Sequence, residues 1–340
     1  MTPLLDTDAV EAWMRAHLVG FQGPITAEKF TTGQSNPTFK LTSPSGSYVL
    51  RRKPSGHLLK SAHAVDREYR VQEALANTDV PVTRMHALCE DEGVIGSVFY
   101  VMDYVEGRSF VDPRVPEVST EARSAIFDDM NRVLAAIHSV NLTATGLADY
   151  GPQGNYYQRQ IDRWTKQYRA SETETVADMD ALIDWLHANL PDDDGRVTLV
   201  HGDYRIDNLL FAPDAPTCVA VLDWELSTLG HPFADLAAVI MQWSLPTGDD
   251  GRGLSGVNRK ALGIPEDEAF IDAYCARMDL RGIDRFGFYL AFSFFRMAAI
   301  LQGVKRRALD GNASNPERAL KLGAFVPDFA AGGLKAAQTA

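Results

Sequence analysis

The N-terminal third of the chain mixes short β-type runs with helical runs. Apolar residues at helical spacing predict an amphipathic helix over residues 6–19 and a second helix over residues 62–76. Between them, residues 38–41 and 48–51 resemble strands on either side of a loop. Residues 94–105 are rich in β-formers and predict another pair of strands. This third is therefore expected to form a small sheet with one major helix.

Helical spacing dominates the rest of the chain. It covers residues 119–139, 158–190, 232–244 and 266–308, whereas only the short apolar runs 197–200 and 218–222 predict strands. The change of character near residues 103–107 predicts a β-rich lobe over residues 1–105 and a mainly helical lobe over residues 106–340. A chain of 340 residues is long enough for two such lobes. The expected fold class is α+β, with a cleft between the lobes as the natural place for a small-molecule site.

Composition narrows the class of protein. The formal net charge of −12 makes a broad nucleic-acid-binding surface unexpected, and it fits either general solubility or a cationic substrate. Three widely spaced cysteines form neither a disulfide framework nor a zinc motif, and they fit a reducing compartment. The most apolar run, 286–301, is shorter than a membrane span and contains Arg296, so it predicts a buried helix. With no apolar run at the N-terminus, we expect a cytoplasmic protein without a membrane partner.

The strongest chemical signal is the stretch His201-Gly202-Asp203, with Asn208 five residues after Asp203. Asp223 follows the apolar run 218–222. Phosphoryl transfer needs a carboxylate beside the attacking hydroxyl and hard oxygen ligands for magnesium, because catalysis rests on positioning and charge neutralisation. We therefore predict Asp203 as the catalytic carboxylate, with Asn208 and Asp223 as the metal ligands.

This motif block resembles the aminoglycoside phosphotransferase and choline kinase family, which has a protein-kinase-like fold. Gly202 stands where protein kinases have the arginine of HRD, and Asp223-Trp224-Glu225 stands where they have DFG. The resemblance extends over about residues 25–305. It implies a small β-rich N-lobe, a larger helical C-lobe, and the use of ATP and Mg²⁺.

The same resemblance implies further roles. Arg51 corresponds to the cation that holds the phosphates, and Glu68 to the helix glutamate that orients this cation. His201 and Asp235 correspond to residues that support the catalytic loop. The implied nucleotide-binding backbone comprises a phosphate-covering loop and an adenine-binding hinge: Thr32, Gly33, Gln34, Ser35 and Asn36, then Asp103, Tyr104 and Val105.

Residues 155–168 and 295–303, together with 33–37 and 61–65, are similar to the kinase-like domain fused to some acyl-CoA dehydrogenases. This similarity implies a hydroxyacyl-CoA or hydroxyacid as the hydroxyl acceptor, and arginines in the helical region fit such an anion. The same arginines could equally be helix-surface charges. The acceptor pocket is predicted to contain Tyr204, Arg205, Glu225, Arg159, Trp164 and Arg296.

Other functions stay open at this stage. An aminoglycoside kinase would need clustered carboxylates near the catalytic loop, whereas the runs 192–194 and 249–250 lie in turn-like segments. A choline-like amino-alcohol kinase is a further alternative. A pseudokinase would bind nucleotide without turnover, although the three key side chains are present. A metal-dependent hydrolase would need more clustered histidines. The sequence does not determine the oligomeric state, the choice between ATP and GTP, or any action with a separate acyl-CoA dehydrogenase.

Overall fold

The computed structural model describes residues 5–30, 36–54, 64–248, 252–313 and 315–340. The chain forms two compact units. The first unit comprises residues up to Ser109 together with Asn141–Ala148 and Asn208–Ser227, and the second comprises Phe110–Val140, Asp149–Asp207 and Thr228–Ala340. The units are discontinuous in sequence, whereas the predicted lobes, 1–105 and 106–340, are continuous. That predicted division stays a prediction.

The first unit is built on a five-stranded antiparallel sheet in the order β1-β2-β3-β5-β4. Its strands are β1 (Thr26–Lys29), β2 (Thr38–Ser43), β3 (Gly46–Arg52), β4 (Met85–Cys89) and β5 (Phe99–Asp103). β2 and β3 confirm the two strands predicted there. The strand pair predicted over 94–105 is wrong, because only β5 forms. Residues 91–97 are a turn in which Asp91 Oδ1 accepts from Gly93 N at 2.8 Å, and β5 pairs with β4 instead.

The sheet buries one face under the first helix. Residues paired across antiparallel strands share a face, so Leu50 lies with Phe39 and Val101. All three are buried with Met14 of helix α1 (Thr7–His17). The apolar side of α1 thus covers this face of the sheet. The Asp6 side chain caps the helix by accepting from Ala9 N.

The opposite face of the sheet carries polar chemistry. Arg51 pairs in register with Thr38 and Tyr100 and shares their face. Helix α2 (Val65–Leu75) packs on this face, where Val65 and Tyr100 belong to one buried cluster. A two-stranded ribbon, β7 (Leu209–Phe211) and β8 (Cys218–Val221), completes the strands of the described part of this unit.

The second unit is mainly helical. Its helices are α3 (Thr120–His138), α4 (Tyr156–Ser171), α5 (Ala177–Ala188), α6 (Phe233–Trp243), α7 (Arg259–Leu262), α8 (Asp267–Arg277), α9 (Phe286–Leu309), α10 (Pro316–Gly323) and α11 (Val326–Ala337). Strands β6 (Thr198–Val200) and β9 (Thr228–Gly230) pair antiparallel within it. The sheet of the first unit and the helices of the second confirm the predicted α+β class.

Two of the predicted helical patterns are each interrupted. The pattern 158–190 is α4 followed by α5, and the pattern 266–308 is α8 followed by α9. At the first break, the buried Gln302 side chain donates to Ser171 O at 2.7 Å and so binds the last carbonyl of α4. Among the described residues, only α9 is long and apolar enough to cross a membrane by length and composition, and 67% of its apolar window is buried, as in a core helix.

Candidate active site

The predicted catalytic loop lies in the second unit and begins where β6 ends. Leu199 and Val200 are fully buried, so the strand fixes the position at which His201 follows. Gly202 has a φ of 84°, a left-handed conformation that glycine adopts without a steric penalty. The backbone N–H groups of His201 and Gly202 both donate to the Asp235 carboxylate, at 2.6 Å and 2.8 Å. Asp203 therefore follows a tightly held turn.

Asp235, in the first turn of α6, is only 1% exposed. His138 Nε2 lies 3.4 Å from its carboxylate, and His138 Nδ1 lies 2.7 Å from the hydroxyl of Tyr274. Burial raises the pKa of Asp235, but the hydrogen bonds and positive charges around it outweigh this effect and lower the pKa overall. These contacts are those that the predicted supporting role of Asp235 requires.

The peptide group between Gly202 and Asp203 is bonded at both ends. Arg296 Nη2 donates to Gly202 O at 2.9 Å, and Asp203 N donates to His201 Nδ1 at 3.3 Å. The imidazole of His201 is fully buried. Its predicted role as a support, rather than a proton carrier, agrees with this position.

The residues that follow Asp203 do not all face an acceptor. Tyr204 is 1% exposed and its hydroxyl donates to Met130 O at 2.7 Å, so this predicted pocket residue belongs to the core of the second unit. Arg205 Nε donates to Asp207 Oδ1 at 2.7 Å, and Arg252 Nη1 donates to Asp207 Oδ2 at 2.9 Å. Arg252 was not predicted, and its distance of 45 positions from Asp207 gave no local signal.

The first unit assembles the predicted nucleotide-binding charges around Arg51. Arg51 Nη2 lies 2.7 Å from Asp223 Oδ1, and Arg51 Nε lies 2.8 Å from Glu68 Oε2. Glu225 Oε2 lies 3.8 Å from Arg51 Nη2, so Glu225, predicted in the acceptor pocket, joins this cluster instead. Three carboxylates thus share one guanidinium, which leaves the cluster with an excess of negative charge.

Glu68 is the buried centre of this cluster. It is 1% exposed, and its carboxylate accepts from Asn36 Nδ2 at 2.8 Å and from the Tyr100 hydroxyl at 3.1 Å. Burial raises the pKa of Glu68 to about 7, and the guanidinium of Arg51 only partly offsets this effect because Asp223 and Glu225 raise the pKa further. Asn36, predicted among the phosphate-covering residues, has its side-chain amide on Glu68. Thr32, Gly33, Gln34 and Ser35 lie outside the described residues.

Tyr100 was missed by the sequence analysis. Its hydroxyl reaches Glu68 because Tyr100 pairs with Arg51 across β3 and β5 and faces the same side. A tyrosine within an apolar strand was a weak signal, because tyrosine is common in strands for packing reasons alone. Only the strand register identifies its partner.

The two predicted metal ligands lie at one end of the β7–β8 ribbon. Leu222 N donates to Asn208 O at 2.8 Å, which brings Asn208 next to the residue that precedes Asp223. Asp223 has a left-handed φ of 64°, so the chain turns sharply after the strand. An amide and a carboxylate are hard oxygen donors, and the negative excess around Arg51 favours a divalent cation, so these residues fit magnesium. Across the described residues, no group of three His, Cys, Asp or Glu side chains could hold a metal by themselves.

The predicted hinge follows β5. The N–H of Asp103 donates to Arg84 O at 2.9 Å and that of Tyr104 donates to Ser47 O at 3.2 Å, so both are used by the protein itself. Val105 is the third residue of the predicted hinge, and its role in adenine binding stays a prediction. Lys40 Nζ lies 3.9 Å from the centre of the Tyr104 ring, a cation–π contact that orders this segment.

The predicted acceptor residues of α4 and α9 form an arginine-rich surface in the second unit. Two guanidinium groups make cation–π contacts with the Trp164 ring, that of Arg296 at 5.9 Å and that of Arg163 at 5.4 Å from its centre. Arg159 donates to Gly154 O at 2.8 Å and to Pro152 O at 3.0 Å. Burial raises the pKa of the Tyr156 hydroxyl while Arg296, Arg159 and Arg163 lower it, so all three cations lie within electrostatic reach of Tyr156. We call Arg159, Arg163, Trp164 and Arg296 the arginine surface.

Comparison with known proteins gives a consistent picture. Residues 26–288 match the phosphotransferase enzyme family, abbreviated APH. The chain is 48% identical over 317 residues to acyl-CoA dehydrogenase family member 10 of Mus musculus, covering 92% of this chain but only 30% of that relative. The chain therefore spans about a third of the length of this relative.

Two solved structures illustrate the fold. A candidate aminoglycoside phosphotransferase of Ralstonia eutropha JMP134 is 50% identical, with a TM-score of 0.90 and 98% of both chains covered. A thermostable mutant of aminoglycoside phosphotransferase APH(4)-Ia, in a ternary complex with AMP-PNP and hygromycin B, is 18% identical with a TM-score of 0.63 and covers 96% of this chain and 98% of its own. The predicted protein-kinase-like fold is confirmed by these neighbours.

Proposed function

This chain belongs to the phosphotransferase enzyme family, and we propose that it transfers the γ-phosphoryl group of ATP to a hydroxyl group of a small molecule. The observation that carries this proposal is the cluster in which the Arg51 guanidinium lies within 4 Å of Glu68, Asp223 and Glu225. A fixed cation beside surplus carboxylates is the arrangement needed to bind phosphates together with a divalent metal.

Each residue has a separate task in this proposal. Asp203 orients the acceptor hydroxyl and accepts its proton as the oxygen attacks phosphorus in line with the departing ADP. Arg51 binds the phosphates with a guanidinium held by Glu68. Asn208 and Asp223 hold Mg²⁺, which supplies positive charge to the phosphate oxygens when bound. The backbone at Val105 binds the adenine ring.

We further propose that the acceptor is an anion, either a hydroxyacid or a hydroxyacyl-CoA. In a chain with a net charge of −12, the arginine surface is unusual because Arg159 and Arg163 form no ion pair with a carboxylate among the described residues. Unneutralised guanidinium groups favour carboxylate or phosphate groups on a ligand. The name of the matched relative, an acyl-CoA dehydrogenase family member, agrees with an acyl-CoA substrate.

A cationic aminoglycoside is less well supported. The acidic run at 192–194 is occupied by internal contacts: Asp193 accepts from Asn155 N at 2.8 Å, and Asp194 lies 3.3 Å from His231 Nε2 and 3.4 Å from Arg196 Nη1. These carboxylates stabilise two loops of the second unit. Asp249 and Asp250 lie outside the described residues.

The test is a substrate screen with ATP and Mg²⁺. Hydroxyacyl-CoAs, free hydroxyacids, amino alcohols and aminoglycosides are each incubated with the protein, and ADP and phosphorylated product are measured. We expect turnover with a hydroxyacyl-CoA or hydroxyacid, and its loss in Asp203→Asn. Turnover only with aminoglycosides or amino alcohols would contradict the anionic acceptor, and tight ATP binding without transfer to any acceptor would favour a pseudokinase.

A further inference from the structure

Three hydrogen bonds hold the backbone of Gly202 and its peptide bond to Asp203. The Asp235 carboxylate holds Gly202 N at 2.8 Å, Arg296 holds Gly202 O at 2.9 Å, and His201 Nδ1 accepts from Asp203 N at 3.3 Å. All of the residues that take part in these three hydrogen bonds belong to the second unit: His201, Gly202, Asp203, Asp235 and Arg296. The peptide plane between Gly202 and Asp203 is therefore held on its C=O edge by Arg296 and on its N–H edge by His201.

Glycine makes this fixation necessary. At a φ of 84° and without a Cβ atom, Gly202 has no side chain to restrict its backbone, so the peptide plane can rotate at low cost unless hydrogen bonds hold it. Rotation of this plane moves the N atom of Asp203 and the adjoining Cα atom, from which the catalytic side chain extends. The Asp235 carboxylate restrains the N–H side of Gly202, and Arg296 restrains its C=O side.

Arg296 is itself positioned for this task. It projects from the centre of α9, and its guanidinium lies 5.9 Å from the ring centre of Trp164 on α4. Trp164 Nε1 donates to Gln160 Oε1 at 3.1 Å, which fixes the indole. A planar guanidinium that is held by a cation–π contact with an aromatic ring has fewer orientations in which to donate its hydrogen bond.

We propose that Arg296 is a positioning residue for Asp203: it holds the Gly202 carbonyl so that the catalytic carboxylate keeps its direction toward the acceptor hydroxyl. This inference rests on the proposed function. It assigns to Arg296 a task distinct from acceptor binding, which Arg159 and Arg163 perform. Because the α4–α9 surface and the catalytic loop share this guanidinium, a change at Trp164 alters the geometry of Asp203 without touching the loop.

The kinetic test compares Arg296→Gln with Arg296→Lys. Gln removes the charge and shortens the side chain, so we expect kcat to fall about 10- to 100-fold, as for a displacement of a catalytic group by about 1 Å. KM for ATP should stay within about two-fold, because the change leaves ground-state nucleotide binding intact. Lys keeps a charged donor and should recover part of the lost kcat. A rise of KM for the acceptor with unchanged kcat would overturn the inference and make Arg296 an acceptor-binding residue.

Arg277→Gln is the matched control. Arg277 also lies in the second unit, donates to Asn131 Oδ1 at 2.9 Å and pairs with Asp128 at 2.7 Å, and both of these partners lie on α3. The kcat of Arg277→Gln should equal that of the wild type. An equal loss of kcat in both variants would assign the effect to general destabilisation and overturn the inference.

Amide hydrogen exchange tests the same inference without turnover. In Arg296→Gln, the amides of Gly202 and Asp203 should exchange at least about tenfold faster than in the wild type, while those of α3 and α6 keep their protection. Unchanged exchange at Gly202 and Asp203 would overturn the inference whatever the kinetics show. If the wild type transfers no phosphoryl group to any acceptor, the proposed function fails, whereas faster exchange would still support the contact. Arg296→Lys serves for both measurements if Arg296→Gln does not fold.

Discussion

Replacement of Asp235 by asparagine tests how the catalytic loop is stabilised. The buried carboxylate accepts from two backbone N–H groups, those of His201 and Gly202, and also faces His138. Asparagine offers one oxygen and one NH₂ group, so at least one buried N–H loses its acceptor. An unsatisfied buried donor costs about 1–3 kcal/mol, more when the lost acceptor was charged. We expect Asp235→Asn to lower the free energy of unfolding by about 2–4 kcal/mol.

The loss of stability caused by Asp235→Asn should depend on pH. The pKa of Asp235 is lower in the folded protein than the ordinary value of 3.8, so the folded state binds fewer protons than the unfolded state near that pH. The carboxylate therefore stabilises the protein above its unfolded pKa, and this stabilisation is lost as pH falls through the folded pKa. Asparagine does not titrate. The difference in stability between wild type and variant should be largest at neutral pH and shrink below about pH 4.

Urea unfolding followed by tryptophan fluorescence measures both effects. Trp243 is 2% exposed and lies in α6 with Asp235, so it reports on the relevant helix. Asp184→Asn, an exposed position on α5, makes the same chemical change without buried contacts and should stay within about 0.5 kcal/mol of the wild type. The reasoning is refuted if Asp235→Asn is equally mild, or if its deficit grows on acidification.

Three further outcomes are expected. Asp203→Asn should lower kcat by about 10²- to 10⁴-fold while ATP affinity, measured by calorimetry, changes only a few-fold; retained activity would exclude Asp203 as the base. Asp223→Ala should abolish Mg²⁺-dependent ATP binding, which titration with and without EDTA checks, and unchanged binding would remove Asp223 from the metal site. Glu68→Gln should weaken ATP binding, because the Arg51 guanidinium loses its buried partner at 2.8 Å. Burial raises the pKa of Glu68 from 4.5 to about 7, so the folded protein binds more protons than the unfolded chain between these values. The free energy of unfolding of the wild type should therefore fall, relative to that of Glu68→Gln, as pH rises from about 4.5 to 7. Urea unfolding at both pH values measures this difference, and an increase would contradict the expectation.

Much of the fold was predictable because local physics determines it. Alternation and turn residues located β2 and β3, and helical spacing located α1, α2, α3 and α6 within a few residues. Residues 94–97 look like a strand by composition but belong to a turn. The patterns 158–190 and 266–308 each contain a break that the spacing of apolar residues does not show, although Gly282 in the second break is a local signal that was missed.

In the candidate active site, too, some features were predictable from the sequence and others were not. The residue types and spacing of His201, Asp203, Asn208 and Asp223 predicted phosphoryl transfer, because that chemistry needs a carboxylate base and oxygen ligands for magnesium, and because the spacing resembles the kinase-like motif. Nothing local indicated that Glu225 would lie beside Arg51, or that the predicted pocket residue Tyr204 would be buried against α3.

The sequence by itself therefore determined the class of chemistry, the candidate base and most secondary structure, because each depends on residue type and short-range spacing. The tertiary structure alone decided which side chains meet. Tyr100 reaches Glu68 through strand register, and Arg296 reaches Gly202 across 94 positions. Such contacts depend on how buried faces pack, and packing is a property of the whole unit rather than of any segment.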